Sequence, residues 1–188
     1  MIYALITITH KYFMKKIILV SILLISGLSF ADGNNDWQNI DQNVIKLNAL
    51  NSCQGCVLRN TSFIGADLNN ASLSGVDFIS ANLSSANLDN ADLEGSSLFG
   101  ADMNGTSLEK ANLFGSNLFA VNLNGANLTG ANLIEADLSL ANLSGVNFAQ
   151  ANLTNANLMG ADLSGAILEG AFLCNTMMPW GLDNSSCQ

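Results

Sequence analysis

Ala126-Asn127-Leu128-Thr129-Gly130-Ala131-Asn132-Leu133-Ile134-Glu135-Ala136-Asp137-Leu138 is the middle of a stretch, Cys56 to Leu173, in which a large apolar residue returns at every fifth position. The series starts at Leu58, Phe63 and Leu68 and ends at Leu163, Leu168 and Leu173 without a slip. Two positions before each stands a small residue, usually Ala, as at Ala66, Ala81 and Ala91. On an α-helix a step of five residues rotates a side chain about 140° past a full turn, so the Leu series would wind over the whole surface. On a straight strand five is odd, and successive Leu residues would face opposite sides. The small residue and the Leu that follows it by two do share parity. Each unit is therefore read as a very short strand with two inward positions, followed by a bend. Repeated bending gives an all-β solenoid with a narrow Leu and Ala interior, in which stacked coils pair the backbone groups.

The units Ala81-Asn82-Leu83, Ala126-Asn127-Leu128 and Ala161-Asp162-Leu163 resemble the A-(D/N)-L-x-x consensus of the pentapeptide-repeat family. The resemblance covers about two-thirds of the chain and implies a right-handed quadrilateral β-helix with four units per coil. The run then makes about six coils, a rod roughly 29 Å long at about 4.8 Å per coil.

Working outward toward the N-terminus, Gln38–Leu50 carries Ile40, Val44 and Leu47 at helical spacing, and Asp41 is placed to cap the helix. A first coil exposes an open core and unpaired backbone, so a short N-terminal capping helix is expected here. Cys53-Gln54-Gly55-Cys56 follows and resembles the C-x-x-C before the repeats of exported bacterial members of the family. Further upstream, Lys15 and Lys16 precede the apolar run Ile17–Leu28 and then Ser29-Phe30-Ala31. This is the pattern of a secretory signal peptide cleaved after Ala31, with Met14 as the true start. The apolar run is short for a transmembrane span, although an uncleaved anchor is the alternative. The expected organisation is 1–31 signal peptide, 32–55 N-terminal cap, 56–175 β-helix and 176–188 C-terminal cap. The expected location is periplasmic or secreted, with no stable membrane insertion after cleavage.

Toward the C-terminus, Cys174-Asn175-Thr176-Met177-Met178-Pro179-Trp180-Gly181, ending at Cys187, resembles the C-N-T-x-M-P-x-G…C segment of the same exported proteins. Trp180 stands where the family segment often has Asp. With the coil count that the family implies, the two cysteine pairs lie at opposite ends of the rod. A disulfide needs Cα atoms within about 7 Å, so Cys53–Cys56 and Cys174–Cys187 are the expected pairs. A redox-active C-x-x-C is the alternative for the first pair.

The chain carries a formal net charge of −9. Beyond Ala31 only Lys46, Arg59 and Lys110 remain against all fifteen acids, leaving −12. That balance argues against nucleic-acid binding and against unaided docking on anionic lipid. The single histidine is His10, inside the leader, so imidazole-based catalysis and His-ligated metal sites are excluded from the remainder. No phosphate-binding glycine motif occurs, and no cofactor is implied. Asp67, Asp77, Asp92, Asp102, Asp137 and Asp162 all stand one position before the inward Leu, where Asn alternates with them, and read as outward polar groups rather than a catalytic pair. Asp89 and Glu109, one coil apart, offer two oxygen ligands for Ca²⁺, with a solvated acidic face as the plainer reading.

Four units per coil stack positions twenty apart. The position after the inward Leu then sorts into one column with Ile79, Phe99, Phe119 and Met159 and an adjacent one with Phe114 and Ile134; Leu140 lies beside them. This apolar stripe marks either a contact site for a protein partner or a second copy, or a ladder that stiffens the rod. The favoured function is a non-catalytic exported binding scaffold. The family resemblance implies a second class, an acidic DNA mimic that binds gyrase, which a signal peptide would keep from its cytosolic target. A carboxylate-based exported enzyme is a remote third.

Overall fold

The computed structural model describes residues 36–187, so the signal-peptide reading of 1–31 lies outside the described residues. The first element is α1, Asp36–Leu50. It begins upstream of Asp41, which therefore lies within the helix and not at its N-cap. The helix ends where Asn51 adopts a left-handed conformation (φ 51°) and its N–H bonds the Leu47 carbonyl at 2.8 Å. Leu47 and Ala49 are buried, and Val44 packs against the core. Asn43 Nδ2 donates to the Val57 carbonyl at 3.0 Å, and Asn51 Nδ2 to that of Asn69 at 2.8 Å. These contacts hold α1 against the first coil.

From Ser52 onward the chain pairs with itself twenty residues later, in parallel. The bridges run from Ser52↔Ser72 to Asn157↔Met177 without interruption. Each turn of the solenoid therefore takes four five-residue units, and the ladder begins inside the stretch assigned to the N-terminal cap. The bridging residue is the one before the inward Leu. Leu58 N–H bonds the Asp77 carbonyl at 2.7 Å, and Asp77 N–H returns to the Cys56 carbonyl at 2.9 Å. The same exchange repeats up the rod, which satisfies the backbone of an all-strand coil.

A tight turn closes every unit. The N–H of Ala81 bonds the Phe78 carbonyl at 2.9 Å, spanning Ile79 and Ser80. The second turn residue has positive φ throughout, from Gly55 to Asn175. That is the geometry of a type II turn, which favours Gly or Asn at this place. The side chain before the Leu also serves the turn: Asn82 Oδ1 accepts the Ser84 N–H at 3.0 Å, and Asp137 Oδ1 that of Ser139 at 3.0 Å. Asp and Asn accept this bond equally well, which explains their alternation.

The interior is a single column of Leu, Met and Phe alternating with Ala, Val, Ser and Thr, almost wholly removed from solvent between Leu58 and Leu158. The coils end in a hairpin of β1, Thr176–Met178, and β2, Gly181–Asp183, paired antiparallel.

Candidate interaction surface

The two cysteine pairs mark the ends of the rod. Cys53 and Cys56 are disulfide-bonded with Cα atoms 5.3 Å apart, and both sulfurs point inward at places that Leu and Ala hold elsewhere. Cys174 and Cys187 are bonded with Cα atoms 4.8 Å apart and tie the tail to the last coil.

The stripe residues lie on turns, and the turns place them on two corners of the rod that flank one flat face. One corner carries Ile79, Phe99, Phe119 and Met159; the other carries Phe114 and Ile134. Between them run the outward residues of that face, among them Asp77, Ser97, Asn117 and Asp137. The stripe expected along two adjacent columns is thus two apolar rails with a polar ladder between. Phe99 is 42% exposed and Met159 59%, while Ile79, Phe114, Phe119 and Ile134 are half-buried. The Phe99 and Phe119 rings stack with centroids 5.5 Å apart and planes 2° apart. Ser139 interrupts the first rail, and Leu140, 59% exposed, fills the gap from the next turn position. Arg59 ends this rail at the N-terminal side and pairs with Asp77.

Leu140 holds φ 57°, a left-handed conformation that a bulky side chain rarely adopts. Such a residue costs roughly 1–2 kcal/mol relative to Gly. Its side chain lies outside the core, so packing in the interior does not account for it.

The acidic pair is engaged within the protein. Asp89 Oδ1 accepts the Glu109 N–H at 2.9 Å and the Ser107 hydroxyl at 2.5 Å, and Glu109 pairs with Lys110 at 2.8 Å. Among the described residues no group of three or more acidic, His or Cys side chains is placed to hold a metal. The carboxylates before the inward Leu are engaged too. Asp92 and Asp102 each accept an amide N–H from the coil above, from Asn112 at 3.0 Å and Asn122 at 2.9 Å. Asn132 and Asn142 continue those ladders.

A second apolar region escaped the sequence reading. In the last coil the outward place before the inward Leu, polar elsewhere from Ser62 to Asp162, is taken by Ile167, Phe172 and Met177. All three are exposed, and so are Trp180 and Leu182 in the tail. The signal was the break in the Asn, Asp and Ser pattern at three successive units.

The family model described as pentapeptide repeats matches residues 52–78, 77–113, 111–148 and 141–178, in eight copies. It implies the right-handed quadrilateral β-helix. Among solved structures, a pentapeptide repeat protein from the Arabidopsis thaliana thylakoid lumen is 37% identical, the match covering 45% of this chain and 59% of that one, with a TM-score of 0.44. Rfr23, a pentapeptide repeat protein from the cyanobacterium Cyanothece 51142, is 28% identical over 70% of this chain and 93% of that one, TM-score 0.31. QnrB1, a plasmid-mediated fluoroquinolone resistance protein, is 20% identical over 72% and 82%, TM-score 0.38. No curated protein matches the chain.

Proposed function

The chain belongs to the pentapeptide-repeat family, and from that premise we propose that it is a non-catalytic exported scaffold that binds another protein, or a second copy of itself, through the two apolar rails. The observation that carries this reading is Leu140. A solvent-facing Leu fills the gap that Ser139 leaves in the first rail, at a turn place that is otherwise Gly, Ala or polar from Gly55 to Asn175, and a large apolar side chain set outward there favours a surface in use. The stacked Phe99 and Phe119 rings supply a rigid centre for such a contact. The two disulfides favour an oxidising compartment, in keeping with the leader-like residues 15–31 and cleavage after Ala31. The Asp residues before the inward Leu serve turns and ladders, as at Asp92, Asp102 and Asp137, which supports a structural use of these carboxylates.

The test places a photo-crosslinking amino acid at Asn117, exposed between the rails, or at Asn104, on a polar corner, in the full chain expressed with its leader. Adducts from Asn117 and none from Asn104, lost on replacing Phe99 and Phe119 by Ser, support the reading. Equal adducts from both positions refute it.

The second reading is an acidic DNA mimic that binds gyrase in the cytosol. The charge of −12 beyond Ala31 favours it, and the disulfides weigh against it.

A further inference from the structure

The two ends of the solenoid are closed unequally. At the C-terminal end the hairpin lies over one face of the last coil, where Met177 bridges to Asn157. A second face is covered by Ser186, whose N–H reaches the Leu173 carbonyl at 3.2 Å and whose hydroxyl reaches that of Ala171 at 3.4 Å. Among the described residues nothing covers the two remaining faces, Ala161 to Gly170.

Three observations coincide there. The first is the backbone. One coil below, Leu143, Gly145, Phe148 and Gln150 each donate an N–H to the coil above. Among the described residues the equivalent N–H groups of Leu163, Gly165, Leu168 and Gly170 meet no backbone acceptor. The second is the core. Leu163 and Leu168 are only partly buried, whereas their counterparts Leu143 and Phe148 are fully enclosed. Ile167 stands exposed on the same edge. The third is charge. Asp162 and Glu169 sit on the bare edge, and no Lys or Arg follows Lys110.

We propose that this edge takes an extended segment of a partner protein as an added strand, one that carries apolar residues and Lys or Arg. The free N–H groups supply the main-chain pairing of strand addition. The half-covered leucines and Ile167 take the apolar side chains, and Asp162 and Glu169 face the bases. A second copy meeting this end would set its own Asp162 and Glu169 against these with no base to offset them. This inference is independent of the apolar rails, which lie on the side of the rod.

The probe is a phage-displayed library of random peptides selected on the full, disulfide-bonded chain, followed by hydrogen exchange with one synthetic selected peptide. The expected peptides combine apolar residues with Lys or Arg and slow exchange at Leu163, Gly165, Leu168 and Gly170 by about tenfold or more. Ile167→Asn, at an exposed place and without a change of charge, weakens binding about tenfold or more, one power of ten in Kd. Phe99→Ser with Phe119→Ser leaves it unchanged. Peptides without basic residues, peptides that protect other amides, or no selected peptide at all would overturn the proposal. So would protection of the same four amides by dimerisation of the chain alone, which would identify a second copy as the occupant.

Discussion

Leu140 lies over Gly160, one coil on: a Cβ added at Gly160 would stand 2.7 Å from Leu140 Cδ2. The two residues share a corner, both have positive φ, and a side chain at 160 would oblige Leu140 to turn its outer end away. Gly160→Ala is therefore expected to destabilise the protein by roughly the 1–2 kcal/mol that a left-handed Ala costs, with a small addition for the displaced leucine. In a Leu140→Gly background the clash is gone and only the backbone cost remains. Chemical denaturation of the four variants measures the difference. Additive effects would mean that the two residues do not touch.

Leu140→Gly by itself is expected to raise stability by about 1 kcal/mol, because it relieves the strained backbone and removes a side chain that is largely in solvent. The same variant should weaken crosslinking from Asn117. A gain in stability with a loss of association is the signature of strain held for contact; a loss of both would point to a structural role.

Ser96 is buried at a position that is Ala, Val or Ser in neighbouring coils, and its hydroxyl has no hydrogen-bond partner. Ser116, one coil above, bonds the Leu113 carbonyl at 2.8 Å. Ser96→Ala removes an unsatisfied polar group and is expected to stabilise by about 1 kcal/mol. Ser116→Ala loses a bond and should be neutral or destabilising. Denaturation midpoints of both variants check the contrast.

The interior has no slack in its middle and opens toward its C-terminal end. Leu118→Ala is expected to cost about 3–5 kcal/mol, since Leu118 is fully enclosed. Leu168→Ala, at the bare end, should cost distinctly less. Equal losses would show that the last coil is closed.

The Ser164 hydroxyl and N–H both hydrogen-bond the Asp162 carboxylate, the N–H at 2.9 Å, and hold its carboxyl below the usual Asp value. A lowered value in the folded state means that the ionised form is favoured by folding. The contribution is present above the ordinary Asp range and is lost as pH falls through the folded value. A carbon-detected NMR titration should show Asp162 titrating below an unstructured Asp, and Ser164→Ala should move it upward.

The period of five was enough to read the solenoid, because neither helix nor straight strand buries Leu58, Phe63 and Leu68 together. The twenty-residue turn came from resemblance, since nothing in the spacing itself counts the corners. Residues such as Phe99 and Met159 could be assigned to a surface column once that count was known. Two features were less legible. Asn112 and Asn132 looked like interchangeable outward polar residues, because their amides find partners only when coils stack. Ile167 and Phe172 broke the polar pattern in plain view. What the break left exposed depended on where the hairpin from Thr176 to Asp183 came to rest.

The central claim, an exported and doubly stapled scaffold, is tested most directly by the intact mass of the product in periplasmic and cytosolic fractions of cells expressing the full chain. The account expects a periplasmic species that begins at Asp32 and weighs four hydrogens less than its reduced form. An uncleaved, fully reduced cytosolic species would contradict it and return the acidic rod to the gyrase reading.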